Sequence, residues 1–200
     1  MSTVRVKINR SAINGVVNNA LGKSPIVKEK AYAQMNGLFN RAHRVMMKEF
    51  DRHPVTAEID AGANTVNMSD TLDGYGNLFS FIGFYRGSKP TETLRELLRY
   101  GTNFRQTIYK NRGWYFKVNT PSKDEIAVAT PMPWELGNSW AIQVEKAGGI
   151  SGLSQYLFKR WEGSRSGRGV QAKGYPTNEG ANFKPVSYLT EILNNFRESI

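Results

Sequence analysis

Residues 24–52 run SPIVKEKAYAQMNGLFNRAHRVMMKEFDR. Serine at 24 followed by proline at 25 is a helix start. The hydroxyl can accept an orphan backbone N–H, and the ring both presets φ and lacks the N–H that a first turn cannot use. Apolar residues then recur at Val27, Ala31, Met35, Leu38, Ala42, Val45 and Met46, up to Phe50. That is the spacing of one helix face, and it leaves Lys28, Lys30, Arg41, Arg44 and Lys48 for the others. Pro54 disfavours helical backbone in the residue before it, so the helix should end near Asp51 or Arg52.

Upstream of this helix, Val4, Val6 and Ile8 alternate with Thr3, Arg5 and Lys7, which predicts a short strand over residues 3–9. Residues 9–22 suit a short helix through Ile13, Val16, Val17 and Leu21. Downstream, Gly62, Gly74, Gly76, Gly83 and Gly87 divide the Pro54–Pro90 segment into loops and short extended pieces. Its most apolar window, Leu78-Phe79-Ser80-Phe81-Ile82-Gly83-Phe84, is expected in the core as a buried strand or loop; the other reading is an apolar surface that only a partner covers. A second helix is expected from Thr91 to Tyr100, with Leu94, Leu97 and Leu98 inward and Gly101 as the stop.

Next come the signs of a β-meander. Strands are expected at Phe104–Lys110, Trp114–Thr120, Ile126–Thr130 and Trp140–Glu145. Turns fall at Asn111-Arg112-Gly113 and Pro121-Ser122-Lys123-Asp124, with Pro131-Met132-Pro133 as an interruption. Leu153 to Trp161 adds a helical turn or two. Residues 162–182 hold five glycines and almost nothing apolar, which predicts a long flexible loop. After Pro185 a last helix to about Glu198 carries Val186, Leu189, Ile192, Leu193 and Phe196 on one side. The expected class is therefore α+β: a long N-terminal amphipathic helix packed on a small antiparallel sheet, with a long basic loop and a C-terminal helix. The ranges are a core at 1–161, the loop at 162–182 and the final helix at 183–200.

The chain has 200 residues, no cysteine and a formal net charge of +10, with 40% hydrophobic and 12% aromatic residues. This is a globular composition rather than a disordered one. No apolar run reaches the ~18–20 residues of a membrane helix, and MSTVRVKINR lacks the apolar core of a secretory signal. A soluble cytoplasmic protein is the expectation. Without cysteine there are no disulfides, thiolate metal sites or thiol nucleophiles. The positive charge favours polyanionic partners, nucleic acid above all, or else an acidic protein neighbour.

Catalytic signals are weak. His43 and His53 are ten residues apart, not at the three-or-four spacing of helical metal ligands, although Asp51, Glu58 and Asp60 lie near His53. Gly167-Arg168-Gly169-Val170-Gln171-Ala172 matches a loosened dinucleotide pattern. It lacks the preceding strand and following helix that would bring a helix N-terminus to a pyrophosphate. No serine sits in a nucleophile elbow. Neither catalysis nor a cofactor or metal is expected. The informative feature is the loop, where Arg160, Arg165, Arg168 and Lys173 interleave with glycine and serine between Trp161 and Tyr175. Planar guanidinium donors, close backbone approach and stacking faces suit nucleic acid. They suit equally an arm that orders on a neighbouring subunit.

Taken with Ser24 to Phe50, Gly74-Tyr75-Gly76-Asn77-Leu78-Phe79, Leu136-Gly137-Asn138-Ser139-Trp140 and the loop from Gly163 to Gly174, the order of elements resembles the neck and tail-completion proteins of tailed bacteriophages. The family's segment before the strand runs glycine, any residue, leucine or arginine, then serine; here leucine precedes the glycine. The neighbouring head-completion and tail-terminator classes stay open beside it. The resemblance implies a non-catalytic virion subunit, made in the host cytoplasm, that forms a homo-oligomeric ring joining head connector to tail. It would contact other connector and tail proteins and, nonspecifically, the passing genomic DNA. The alternatives from different classes are a sequence-nonspecific nucleic-acid-binding protein, first, and a hydrolase whose paired carboxylates meet only in the fold.

Overall fold

The computed structural model describes residues 10–72, 74, 76–110, 113–133, 137–146 and 183–200. Eight α-helices and one hairpin follow in order. They are α1 (Arg10–Lys23), α2 (Pro25–Arg52), α3 (Pro54–Ala61), α4 (Leu78–Ile82), α5 (Pro90–Gly101), β1 (Asn103–Lys110), β2 (Gly113–Asn119), α6 (Lys123–Ala129), α7 (Trp140–Val144) and α8 (Leu189–Glu198). They group into two compact units, one of residues 1–41 with 103–119, the other of 42–102 with 120–200.

In the first unit α2 begins as its sequence requires. Pro25 is the first helical residue, and the Val27 N–H reaches Ser24 Oγ at 3.5 Å. The early part of α2 packs on an antiparallel sheet, as expected. The Phe104 ring lies 5.2 Å from Tyr32 and 5.8 Å from Phe39, and 5.4 Å from Phe116 on the neighbouring strand. The sheet has two strands, paired Asn103 with Asn119 through Lys110 with Gly113, with an irregularity between Gln106 and Ile108. At the C-terminal end of α1, a Cβ on Gly22 would stand 2.4 Å from Tyr109 Cδ1. Only glycine leaves room there for the ring.

The second unit holds a helical core. Phe50, Val55, Leu78, Ile82, Leu94, Leu98, Ala141, Val144 and Tyr188 have no exposed surface, and Met46, Ile59 and Trp140 have almost none. Each of the larger aliphatic and phenylalanine side chains among them contributes roughly 1.5–3 kcal/mol on burial. Helix α5 matches its expected span, with Leu94 and Leu98 buried and Leu97 half-buried. The terminal helix α8 folds back within its own unit, burying Leu189, Ile192, Leu193 and Phe196. In the segment that leads to it, Lys184 N–H donates to Thr71 O (2.8 Å) and Val186 N–H to Val144 O (3.1 Å).

Three expectations are corrected. The segment from Pro54 to Pro90 keeps its expected loops, but its ordered pieces are the helices α3 and α4 and a single 3-10 turn at Gly62–Asn64 rather than extended chain. His53 caps α3 by accepting the Val55 N–H at Nδ1 (3.3 Å), and Asn77 caps α4 by accepting the Ser80 N–H (2.9 Å). The apolar window at 78–84 is indeed core, but as a single helical turn closed by Gly83 in the left-handed region (φ 81°). The third and fourth strands of the meander are helices. Ser122 and Glu125 form a reciprocal capping box that starts α6, and Ser139 Oγ accepts the Ile142 N–H (3.2 Å) to start α7. Among the described residues between these helices, the β pairing is a single isolated bridge, Pro131 to Ser139. The strand expected at 3–9, the turns at 153–161 and the loop at 162–182 lie outside the described residues.

Candidate functional site

The contact candidates Arg160, Trp161, Arg165, Arg168, Lys173 and Tyr175 all lie outside the described residues. Among those described, no three His, Asp or Glu side chains are grouped to hold a metal ion. The acids named near His53 are committed elsewhere, and both histidines are engaged by backbone.

His43 Nε2 lies 3.3 Å from Leu98 O. His53 Nε2 lies 3.1 Å from Ser187 O, while Nδ1 accepts from Val55 N–H. Together these bonds require a neutral ring with its proton on Nε2. Burial is the largest influence and lowers the His53 pKa below its usual 6.5, against the raising effects of the Ser187 bond, Glu191 and Glu145. The sign follows from linkage: once pH falls below the unfolded value, the unfolded chain takes the proton more readily than the folded one. Stability should therefore decline as pH drops from about 6.5 towards the lower folded value. His53→Asn, which keeps a capping acceptor, should flatten that part of a plot of unfolding midpoint against pH. An unchanged slope in the variant would show that His53 is not the group responsible.

Glu58 is fully buried and accepts four hydrogen bonds. Leu78 N–H (2.6 Å) and Asn67 Nδ2 (3.0 Å) meet Oε1; Ser69 N–H (2.7 Å) and Asn67 Nδ2 (3.1 Å) meet Oε2. One side chain thus fastens the start of α4 and the loop before it to α3. Asn67 completes the knot by accepting Leu72 N–H at 2.9 Å. Nearby, the Arg95 guanidinium is held by Asp51 (2.9 Å), Asp60 (2.7 Å) and Glu92 (2.8 Å), and sits 5.5 Å from the centre of the Phe50 ring. Burial works against its charge, but the bonds to Asp51 and Asp60 outweigh burial and raise its pKa further. Asp60 also accepts from Thr91 Oγ1. These arrangements tie elements together, and their polar atoms are occupied in doing so.

An open groove of about 450 Å³ lies between α6, α7 and α8, with Ile126, Leu189 and Leu193 among its lining and Lys123, Lys146 and Arg197 as cations. Its acid, Glu145, is turned to the start of α8, accepting Tyr188 N–H (2.9 Å), Thr190 N–H (2.7 Å) and Thr190 Oγ1 (2.7 Å).

The charge is distributed very unevenly. Residues 1–41 and 103–119 hold eleven basic side chains and one acid, Glu29; the remaining ranges hold sixteen of each. The whole excess of +10 therefore belongs to the first unit. Lys23, Lys28, Lys30, Arg41, Arg105, Lys110 and Lys117 are all exposed there, with no ion pair among the described residues. On the hairpin, Phe104 and Phe116 face the helix, so the alternate positions face outward. Arg105 and Lys117 are direct cross-strand partners on that outward face, and Tyr115 beside them is 50% exposed. The same unit leaves Val16 (70%), Ile26 (64%), Val17 (48%) and Leu21 (40%) exposed along α1 and the start of α2.

The basic contact expected from the sequence lies in the 160–175 region and not on this hairpin. A signal was present, since residues 103–119 carry Arg105, Lys110, Arg112 and Lys117 with no acid. No helix among the described residues is long and apolar enough to cross a membrane. No family model, curated protein or solved structure matches the chain.

Proposed function

We propose that the chain is a structural subunit of a tailed-phage virion, a ring-forming neck or tail-completion protein that joins the head connector to the tail without catalysis. The observation that carries this reading is the exposed apolar face of the first unit, Val16, Val17, Leu21 and Ile26. Val17 and Leu21 are one helical turn apart on α1 and so share a side. Apolar side chains repeated along one helix, beside an otherwise packed core, suit burial against a neighbour. In a ring that neighbour is another copy, joined head to tail so that the contacts close on themselves. Of the order of elements that suggested the phage neck, the long helix on a small antiparallel sheet and the C-terminal helix remain, and they suit the same assignment, with assembly in the host cytoplasm and residence in the virion.

The test is the mass of the purified full-length chain in solution. A single oligomer larger than a dimer is expected at micromolar concentration, and Val17→Asp/Leu21→Asp should reduce it to a monomer with unchanged helix content. A wild-type chain that stays monomeric, or a variant that assembles normally, would remove the proposed role of this face.

The segregation of charge into the first unit favours a second reading, a sequence-nonspecific nucleic-acid-binding protein. The two are compatible where a ring surrounds a DNA path. They part if the chain binds DNA but never oligomerises.

A further inference from the structure

We infer that the outward face of the β1–β2 hairpin is a contact for the phosphate backbone of double-stranded DNA, with Arg105, Lys117 and Lys110 supplying the cations. The inference deepens the reading of a subunit that works beside DNA and rests on it to that extent; it does not depend on ring closure.

The starting point is an unfavourable pair. Arg105 and Lys117 stand directly opposite one another in the antiparallel register. Direct cross-strand neighbours have Cβ atoms roughly 4.5–5.5 Å apart, and like charges there are destabilising. Both are exposed, and neither has a carboxylate within ion-pair distance among the described residues. By contrast, the next pair on the same face, Asn103 and Asn119, is joined by a hydrogen bond of 3.1 Å. The hairpin therefore pairs its polar partners well at one end and opposes two cations immediately beside them. A phosphate lying across Arg105 and Lys117 would turn that repulsion into two charge-assisted hydrogen bonds.

Register extends the surface. Beyond the irregularity at Gln106/Ile108, Lys110 pairs with Gly113 and falls on the same side as Arg105. Tyr115, half exposed, lies between the two cationic positions and carries a hydroxyl of the kind that contacts phosphate oxygens. The opposite side of the hairpin is apolar and taken up by Tyr32 and Phe39 of α2, so the cationic side is the one presented outward. A two-stranded ribbon is also slim enough to lie along or within a major groove about 12 Å wide.

Charge chemistry favours DNA over an acidic protein. Lysine is depleted in protein–protein interfaces, where a strongly hydrated ammonium must be stripped of water. Phosphate contacts leave such cations partly hydrated and gain from counterion release instead. With contacts to phosphate alone, recognition is independent of base sequence.

The experiment is binding of the full-length chain to a random duplex and to an alternating A·T duplex across a salt series. Four chains are compared: wild type, Arg105→Ala/Lys117→Ala, Arg165→Ala/Arg168→Ala, and the exchange Arg105→Lys/Lys117→Arg. The wild type should bind both duplexes alike, with log affinity falling linearly in log salt. Loss of two phosphate contacts should make that slope shallower by about 1.8 and weaken binding on the order of 60-fold at 0.1 M salt. The hairpin variant should unfold at the same or a higher temperature, because the substitution relieves repulsion. A charge-preserving exchange, Arg105→Lys/Lys117→Arg, should keep the wild-type slope, which separates charge from any structural effect. An unchanged slope in the hairpin variant overturns the inference. Loss confined to the Arg165→Ala/Arg168→Ala chain assigns DNA to the other segment and overturns it equally. Absence of wild-type binding, or equal affinity for polyglutamate, removes DNA as the occupant. Oligomer mass is read on the same samples. Rings indifferent to DNA would retain the assembly role without the ribbon, and a monomer that binds through the hairpin would do the reverse.

Discussion

Replacing Glu58 with leucine should cost the second unit roughly 3–5 kcal/mol, because two buried backbone N–H groups lose their acceptor at once and each costs about 1–3 kcal/mol when stranded. Those groups are Leu78 N–H, at the first position of α4, and Ser69 N–H in the preceding loop. Leucine is close in volume, so it leaves little cavity and isolates the polar effect. Asn67 Nδ2 loses Glu58 as well, but retains Ser69 Oγ (3.1 Å) and Thr71 Oγ1 (3.3 Å). Glu58→Gln should do less harm, since one oxygen remains and only the other end becomes a donor facing donors. Urea unfolding gives the measure: a lower midpoint with the same slope means lost stability rather than a changed unfolded state. Against a total of about 5–15 kcal/mol for a domain, this is a large fraction. A loss under 1 kcal/mol for Glu58→Leu would mean that the loop before α4 is not held by this carboxyl group.

Tyr188→Ala should be of similar size, roughly 3–5 kcal/mol for an aromatic ring removed from a core. Tyr188 has no exposed surface. Its ring lies 4.7 Å from that of His53, 6.1 Å from Phe50 and 6.5 Å from Trp140, and its hydroxyl lies 2.7 Å from Thr56 Oγ1. It stands immediately before α8, so its loss should free that helix first. Hydrogen exchange of the amides at 189–198 should accelerate more than that of α5. Equal acceleration throughout would mean that α8 unfolds only with the whole unit.

The hydroxyl can be separated from the ring. Burial, the largest influence, raises the Tyr188 pKa well above its usual value of 10.0. Above that pH the unfolded chain releases the proton while the folded one keeps it, so stability falls as pH rises past about 10. Tyr188→Phe should remove this share of the alkaline loss. At neutral pH it should cost about 1 kcal/mol for the bond to Thr56.

The contrast between α2 and α6 shows how legibility depended on scale. Over Pro25–Arg52 the helical period repeats many times and the Ser-Pro start is unmistakable. Over Lys123–Ala129 the period has room for fewer than two turns. Ile126, Val128 and Thr130 alternate like a strand, yet Val128 proves 82% exposed while Ile126 and Thr130, one turn apart, are buried. The decisive local signal is Ser122 with Glu125, a capping box within a stretch that also reads as a turn. Trp140–Val144 repeats the ambiguity: Trp140, Ala141 and Val144 are inward at helical spacing, within a window too short to exclude alternation. In the 54–90 segment the glycines read as breaks between loops and extended pieces. Gly62 and Gly83 instead close helices in conformations with φ of 75° and 81°.

The sequence by itself determined the long first helix and its start, the span of α5, the hairpin at 103–119, the amphipathic last helix and the size of the positive charge. Each is written in residues within a few turns or one strand pair of each other, where caps, period and turn chemistry act directly. Only the tertiary structure decided that Glu58 would bind amides up to twenty residues away, and that α8 would return to its own unit through Tyr188 and Thr56. It alone decided, too, that the basic residues of 1–41 and 103–119 would collect in one unit. Such long-range pairings follow from which buried donors need acceptors and which apolar faces meet, quantities that no local window of sequence contains.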